Sequence, residues 1–345
     1  MRQPVLTAVV SFLLACPAAA ADPKPNALTE KEIADGWLLL FDGESTFGWT
    51  VEGDVVVKDG FLILGGEKKT TAKTTTQMSW GDVALDATWE GKERPTLKRF
   101  LGPDLVGPNT KPGTVLAVEG GGGTNPPSEV LVAEVPAGST LRLRSVRVKP
   151  GSFRPLFDGK TLAGWKVNAA DPKRAASKFE VTKEGELHVT NGPGDLHIEK
   201  TFADFVLQFE CKTNGDALNS GVFFRCIPEQ YQNGYEAQIQ NAFKDGDRTK
   251  PADFGTGAIY RRVPARKVVS NDKEWFAMTV IAHGPHISTW VNGYQVVDWT
   301  DDRKPDDNPR KGLRTAAGHL SIQGHDPTTD ILFRNIRIAE MKAAK

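Results

Sequence analysis

In the run GYEAQIQN (234–241), one carboxylate stands in a row with two amides. Read as a strand, it sets Glu236, Gln238 and Gln240 on one face and Ala237 and Ile239 on the other. A lone glutamate can take a proton, but ordinary glycoside hydrolysis needs two carboxyl groups flanking the bond. In the neighbouring run SGVFFRCI the polar face holds Phe223 and Arg225, and a simple connection between the two runs brings Arg225 opposite Glu236 as a cross-strand ion pair. On a solvated face such a pair carries little energy. A third run, FVLQFECK, sets Gln208 and Glu210 against its apolar residues, so three strands share a polar face. In GHLSIQGHDPTTD (318–330), His319, Ser321 and Gln323 share a face, and His325 with Asp326 follows in a turn. His325 is the best candidate for proton transfer, because histidine titrates near neutrality. Tyr235, Tyr260, Trp290 and Trp299 offer flat apolar surfaces that suit either a sugar ring or a sandwich core.

The elements that must position these residues are strands. VALDATWE, WFAMTVIAH, ISTWVNGYQVVDW and HLSIQ alternate or cluster β-branched and aromatic residues between Gly, Pro, Asn and Asp. Asn292-Gly293 is the strongest hairpin signal. One short helix is expected over TEKEIADG (29–36), with Thr29 as cap and Glu32 three residues on. Many short antiparallel strands without crossover helices predict an all-β sandwich or jelly roll.

The chain also repeats itself. FDGESTFGW (41–49) matches FDGKTLAGW (157–165), KDGFLIL (58–64) matches KEGELHV (183–189), and LRLRSVRVKP (141–150) matches ILFRNIRIAE (331–340). Two tandem β modules follow, over 36–150 and 153–340, with almost no linker, so they should abut. Pro and Gly crowd the middle of the first module, and VEGGGGTNPPSE reads as a flexible loop rather than a phosphate cradle.

Composition narrows the partners. Lys plus Arg and Asp plus Glu both number 43, so no basic surplus points to nucleic acid or an anionic membrane. No nucleophile elbow, phosphate loop or metal-site cysteine spacing occurs. The N-terminus reads as an export signal over 1–21, with Arg2 ahead of an apolar run and an Ala-rich cleavage region. Cys16, in Leu-Leu-Ala-Cys, resembles a lipoprotein box, so lipid anchoring there competes with cleavage after the alanines. The mature protein is then periplasmic or extracellular, free or tethered, and no later segment reaches the roughly 20 apolar residues of a spanning helix. Cys211 and Cys226 fall on core-facing positions and read as buried free thiols rather than a bridge. Asp301, Asp302, Asp306 and Asp307 could hold calcium, but a solvated charge run is the preferred reading and no cofactor is expected.

Six motifs in order across 153–340 resemble the 3-keto-disaccharide hydrolase domain, a bacterial exported domain with a concanavalin-like jelly roll: LFDGKTLAGW, NSGVFFR, YEAQI, TGAIY, WVNGYQVVD and FRNIRI. The first module resembles it only in its opening and closing elements. The resemblance implies a site of Asn219, Arg225, Glu236, Gln238, Gln323 and His325, to which Tyr260 and Trp290 add aromatic surface. Three positions depart from the family pattern: Asn241 where Asp is common, Phe276 where Asn follows Trp, and Gly324 where Asp is common. A C3 ketone acidifies the C2 proton, so one base can remove it and the C1 substituent can leave, after which water adds. The resemblance implies Glu236 as base, Arg225 and Gln238 as stabilisers of the enolate and His325 as acid. A carbohydrate-binding protein of the same fold that cleaves nothing stands as the alternative, and an envelope adhesion module as a third.

Overall fold

The computed structural model describes residues 26–341 apart from 100–103, 107–109, 114–115, 122–127, 169–170, 228–229 and 231. The export signal and Cys16 lie outside the described residues. Period-2 alternation gives two jelly-roll sandwiches with antiparallel strand pairing. The first, between Leu38 and Pro150, packs a seven-stranded sheet on a four-stranded one; the second, between Arg154 and Glu340, packs an eight-stranded sheet on a five-stranded one. Each encloses its own apolar core.

The repeated motifs make the same turns. Asp42 accepts from the amides of Glu44 and Ser45 and from the Ser45 hydroxyl, as Asp158 accepts from Lys160, Thr161 and the Thr161 hydroxyl. The indole N–H of Trp49 donates to Leu40 O, and that of Trp165 to Leu156 O. Both closing strands carry a bulge with a left-handed residue, Ser145 at φ 52° and Asn335 at φ 53°.

The expected helix is Glu30–Asp35, with Thr29 and Glu32 forming a capping box and Gly36 in the left-handed conformation at its end. Asn292 and Gly293, at φ 49° and 75°, turn the expected hairpin between His286–Val291 and Tyr294–Thr300. This tip is buried against the N-terminal segment, where Gly293 O accepts from Leu39 N. A Cβ on Gly293 would lie 2.1 Å from Leu28 Cδ1. Gly293→Ala is therefore expected to cost about 1–3 kcal/mol, read as a lower denaturant midpoint at unchanged m-value.

Three expectations are corrected. The glycine run is not all loop, because Leu116–Gly121 pairs with Met78–Gly91. Gln208 and Glu210 belong to the opposite sheet from Glu236: Phe205–Thr213 sits between Phe276–His283 and Asp330–Glu340 in the eight-stranded sheet. That sheet's outer face is covered by the first sandwich, and Val206, Ile281, Trp290 and Ala339 join the first sandwich's core. Asp301 is no solvated charge: it is 1% exposed, pairs with Arg303 at 2.7 Å and accepts from the Tyr235 hydroxyl at 2.6 Å. Cys211 and Cys226 are buried and unbridged, as the strand parity indicated.

Candidate functional site

The five-stranded sheet presents the polar face. His197, Ser321, Phe223 and Glu236 form one rung across four strands, from Gly194–Phe202 through Gly318–Gly324 and Ser220–Cys226 to Tyr235–Ile239. Asp195 opposite Gln323, and Gly221 opposite Gln238, lie one step along the same face. The register thus puts Phe223, not Arg225, opposite Glu236. The cause is a bulge: between Phe223 and Cys226 the strand carries one residue more than its partner, and Arg225 takes φ 50°. Its side chain is fully buried, donating to Ala203 O, Gly284 O and Arg314 O and pairing with Asp204.

Glu236 is 7% exposed and receives no hydrogen bond from a described residue. Its carboxyl borders a cavity of about 240 Å³ shared with Tyr260, Arg261, Arg262 and Arg310. Burial pushes its pKa from 4.5 to about 8; the charges of Arg310 and Arg261 oppose the rise and that of Asp253 adds to it. The free acid form therefore predominates at neutral pH, and the carboxylate, once formed, is a stronger base than an exposed glutamate. Gly221 leaves the room Glu236 occupies: a Cβ there would lie 2.7 Å from Glu236 Oε1 and 2.8 Å from its Cγ. Gly221→Ala is expected to displace the Glu236 carboxyl from its place on the cavity wall, checked by a crystal structure of the variant.

Further along the same face, outside the lining of this cavity, lies a set of amides with buried side-chain oxygens. Gln238 donates to Asp253 O and Oδ2, Asn219 donates to Asp253 Oδ2, and Gln323 donates to Gln232 Oε1. The side-chain oxygens of Asn219, Gln238 and Gln323 accept no hydrogen bond from the described residues. Unpaired buried acceptors are costly, and donors such as sugar hydroxyls would satisfy them. Asp253, Phe254 and Arg261 adopt φ 40°, 71° and 58°, so the loop that closes the site holds uncommon backbone conformations. Further along the face, Asp195 is 2% exposed; burial raises it to about 6, opposed by hydrogen bonds from Ser321 to Oδ2 and from the Asn168 side chain. Beside it the rings of His197 and His319 lie 5.2 Å apart, and burial holds His197 below its ordinary value.

Of the residues expected at the site, Glu236, Gln238, Asn219, Gln323 and Tyr260 gather on or beside this face. Tyr260 packs edge-on to Phe254 and lies under the Arg261 guanidinium at 5.2 Å. Trp290 does not belong: strand parity turns it to the back of the other sheet, where it is 1% exposed and its indole donates to Leu39 O. His325 is exposed at the rim, 2.7 Å from Asp326. It lies four residues past Ser321 and two strands from Glu236, roughly 17 Å between backbones at about 3.4 Å per residue and 4.8 Å per strand. This separation places His325 at the rim of the face rather than beside Glu236.

The three departures have structural occupations. Asn241 is 4% exposed, accepting from Thr256 and Ser270 and donating to Asp272. Phe276 is a core residue. A Cβ on Gly324 would meet Ser177 Oγ at 2.0 Å. Sequence reasoning missed Asp253, Arg261, Arg310 and Asp195. Only Asp195 carried a signal, the alternation of Asp195 and His197 against Leu196 and Ile198; the others come from irregular loops. Among the described residues, no three His, Cys, Asp or Glu side chains gather as metal ligands.

A jelly roll with a polar sheet face and a buried carboxyl that takes no hydrogen bond from the described residues defines the class. Residues 152–339 match the 3-keto-alpha-glucoside-1,2-lyase-like domain, and the chain belongs to that family of carbohydrate-active proteins. Two candidate glycosyl hydrolases from Parabacteroides distasonis are similar. One is 27% identical, with 55% of this chain and all of that chain covered and a TM-score of 0.43. The other is 20% identical over 55% of this chain and 94% of that one, with a TM-score of 0.44. The carbohydrate-binding module CBM66 from Bacillus subtilis is 14% identical over 51% of this chain and 96% of its own, with a TM-score of 0.35. No curated protein matches.

Proposed function

We propose that the protein cleaves the glycosidic bond of 3-keto-glycosides by elimination, with Glu236 as the base. The observation that carries this reading is a single carboxyl, buried and unpartnered, in a cavity walled by guanidinium groups. Ionised Glu236 takes the C2 proton that the neighbouring ketone acidifies. The electron pair moves into the C2–C3 bond and charge develops on the C3 oxygen, which Arg310, the cation that acts most strongly on Glu236, stabilises. The pair then returns, the C3 carbonyl re-forms, the C1–O bond breaks with a C1–C2 double bond, and the departing oxygen takes a proton from water. Addition of water across that double bond completes hydrolysis. Asn219, Gln238 and Gln323 accept hydrogen bonds from sugar hydroxyls.

On this reading residues 153–340 form the working module, and the module over 36–150 is a non-catalytic cover for its back sheet. The protein is exported through residues 1–21, free or anchored at Cys16. Incubation of the mature protein with a 3-keto-disaccharide and with its unoxidised parent tests the reaction: monosaccharide is expected from the keto form alone. Binding of both without release from either would leave a carbohydrate-binding protein in its place.

A further inference from the structure

We propose that the cavity beside Glu236 takes a sugar that carries an anionic substituent, a carboxylate or a sulfate or phosphate ester, held by Arg261 and Arg262. The proposal rests on the cavity being the sugar site, not on turnover. The whole chain balances 43 basic against 43 acidic residues, yet this cavity does not balance. Arg261, Arg262 and Arg310 line it, and none has a carboxylate partner among the described residues. Among the described residues the Arg262 guanidinium donates to Arg261 O and Arg310 O, and that of Arg310 to Gln232 O. Arg261 is exposed and rests on the Tyr260 ring. Their neighbours differ: Arg303 is paired with Asp301, and Arg314 lies 4.0 Å from Asp307.

The one carboxyl on the cavity wall does not offset this charge, because burial keeps it protonated near neutrality. Crowding of like charge is felt at Arg262, whose pKa is lowered first by burial and then by Arg303. Stabilising one enolate oxygen uses one cation. Two further guanidiniums, with planar forks that match carboxylate, sulfate and phosphate oxygens, remain. About 240 Å³ falls below the roughly 300–1,000 Å³ of pockets for drug-sized ligands, so the cavity admits one ring with its substituent.

Titration calorimetry on the mature chain with glucose, glucuronate, glucose 6-sulfate and glucose 6-phosphate, in low and in high salt, tests this. At least one of the anionic sugars is expected to bind tenfold or more tightly than glucose, with the advantage shrinking as salt rises. The favoured member identifies the substituent as carboxylate or ester. Arg261→Gln, at an exposed position, should erase most of the advantage of the anionic sugar over glucose. Equal affinity for glucose and all three anions, or an advantage that survives Arg261→Gln together with Arg262→Gln, would overturn the proposal. Release of sugar from a neutral 3-keto-disaccharide in the same preparation reports separately on the elimination, so either reading can fail alone.

Discussion

Glu236→Gln is expected to lower kcat/KM on a 3-keto-glycoside by about 10²–10⁴-fold, the usual contribution of a positioned general base. The amide keeps the shape and cannot accept the C2 proton. In the unsubstituted protein, kcat/KM should climb about tenfold per pH unit through the neutral range and level off above about pH 8, where the buried carboxyl has ionised. Stability moves the other way. The folded chain holds this proton up to about pH 8, whereas the unfolded chain releases it near 4.5, so the contribution is fully present below 4.5 and is lost as pH rises through 8. At about 1.4 kcal/mol per pH unit the difference amounts to several kcal/mol. Glu236→Gln should therefore raise the thermal midpoint at pH 9 and leave it nearly unchanged at pH 4. A merely solvated glutamate would give neither effect, and a flat pH profile would remove Glu236 from the mechanism.

Much of this site is legible as alternation. Glu236 and Gln238, Phe223, and Ser321 with Gln323 reach one face because strand parity is a local property and the apolar partners on the other side fix it. The turns around Asp42 and Asp158 and the Asn292-Gly293 tip are equally local, since one side chain or one positive φ decides each. What fails to show is of two kinds. Gln208 and Glu210 have the right parity but the wrong sheet, because pairing with Phe276–His283 and Asp330–Glu340 is decided by residues far along the chain. Asp253, Arg261 and Arg310 stand in loops, where no period links residue type to direction. The loop that carries Asp253 and Arg261 gives each of them an uncommon backbone conformation, one that neither residue type demands.

The first sandwich covers much of the back of the second module's eight-stranded sheet, leaving at the junction a cavity of about 480 Å³ lined by Gln208, Glu210, Thr279 and Arg337. Its core takes in Trp290, Val206 and Ile281 from the back of the eight-stranded sheet, Thr75 donates to Asp298, and Asp42 pairs with Arg266 at 2.7 Å. Carboxylates and aromatics that would otherwise face water on that side are occupied by the junction. The five-stranded sheet keeps its polar face clear of the other module.

Arg225→Met is expected to destabilise the protein by about 3–5 kcal/mol, the cost of stripping one partner from a buried charge pair. Among the described residues no other arginine is so enclosed: at 0% exposure its guanidinium joins Ala203 O at 2.9 Å, Gly284 O at 2.8 Å, Arg314 O at 3.0 Å and Asp204 at 3.1 Å. Asp204 Oδ1 also accepts from Gly284 N at 2.9 Å, so the arginine ties two hairpin turns and the 301–315 loop into one network. Methionine fills the space, strips three carbonyls of the guanidinium donors and leaves Asp204 without its cation. In a module of this size the thermal midpoint should fall by roughly 10 °C or more. Should that variant not fold, Asp204→Asn, which keeps a hydrogen-bonding group and removes the charge, should give a smaller fall. In both, kcat/KM per folded molecule should stay within a few fold of the original protein, because the bulge turns Arg225 away from Glu236. An unchanged midpoint with lost turnover would instead return Arg225 to the enolate and require the strand to be read without its bulge.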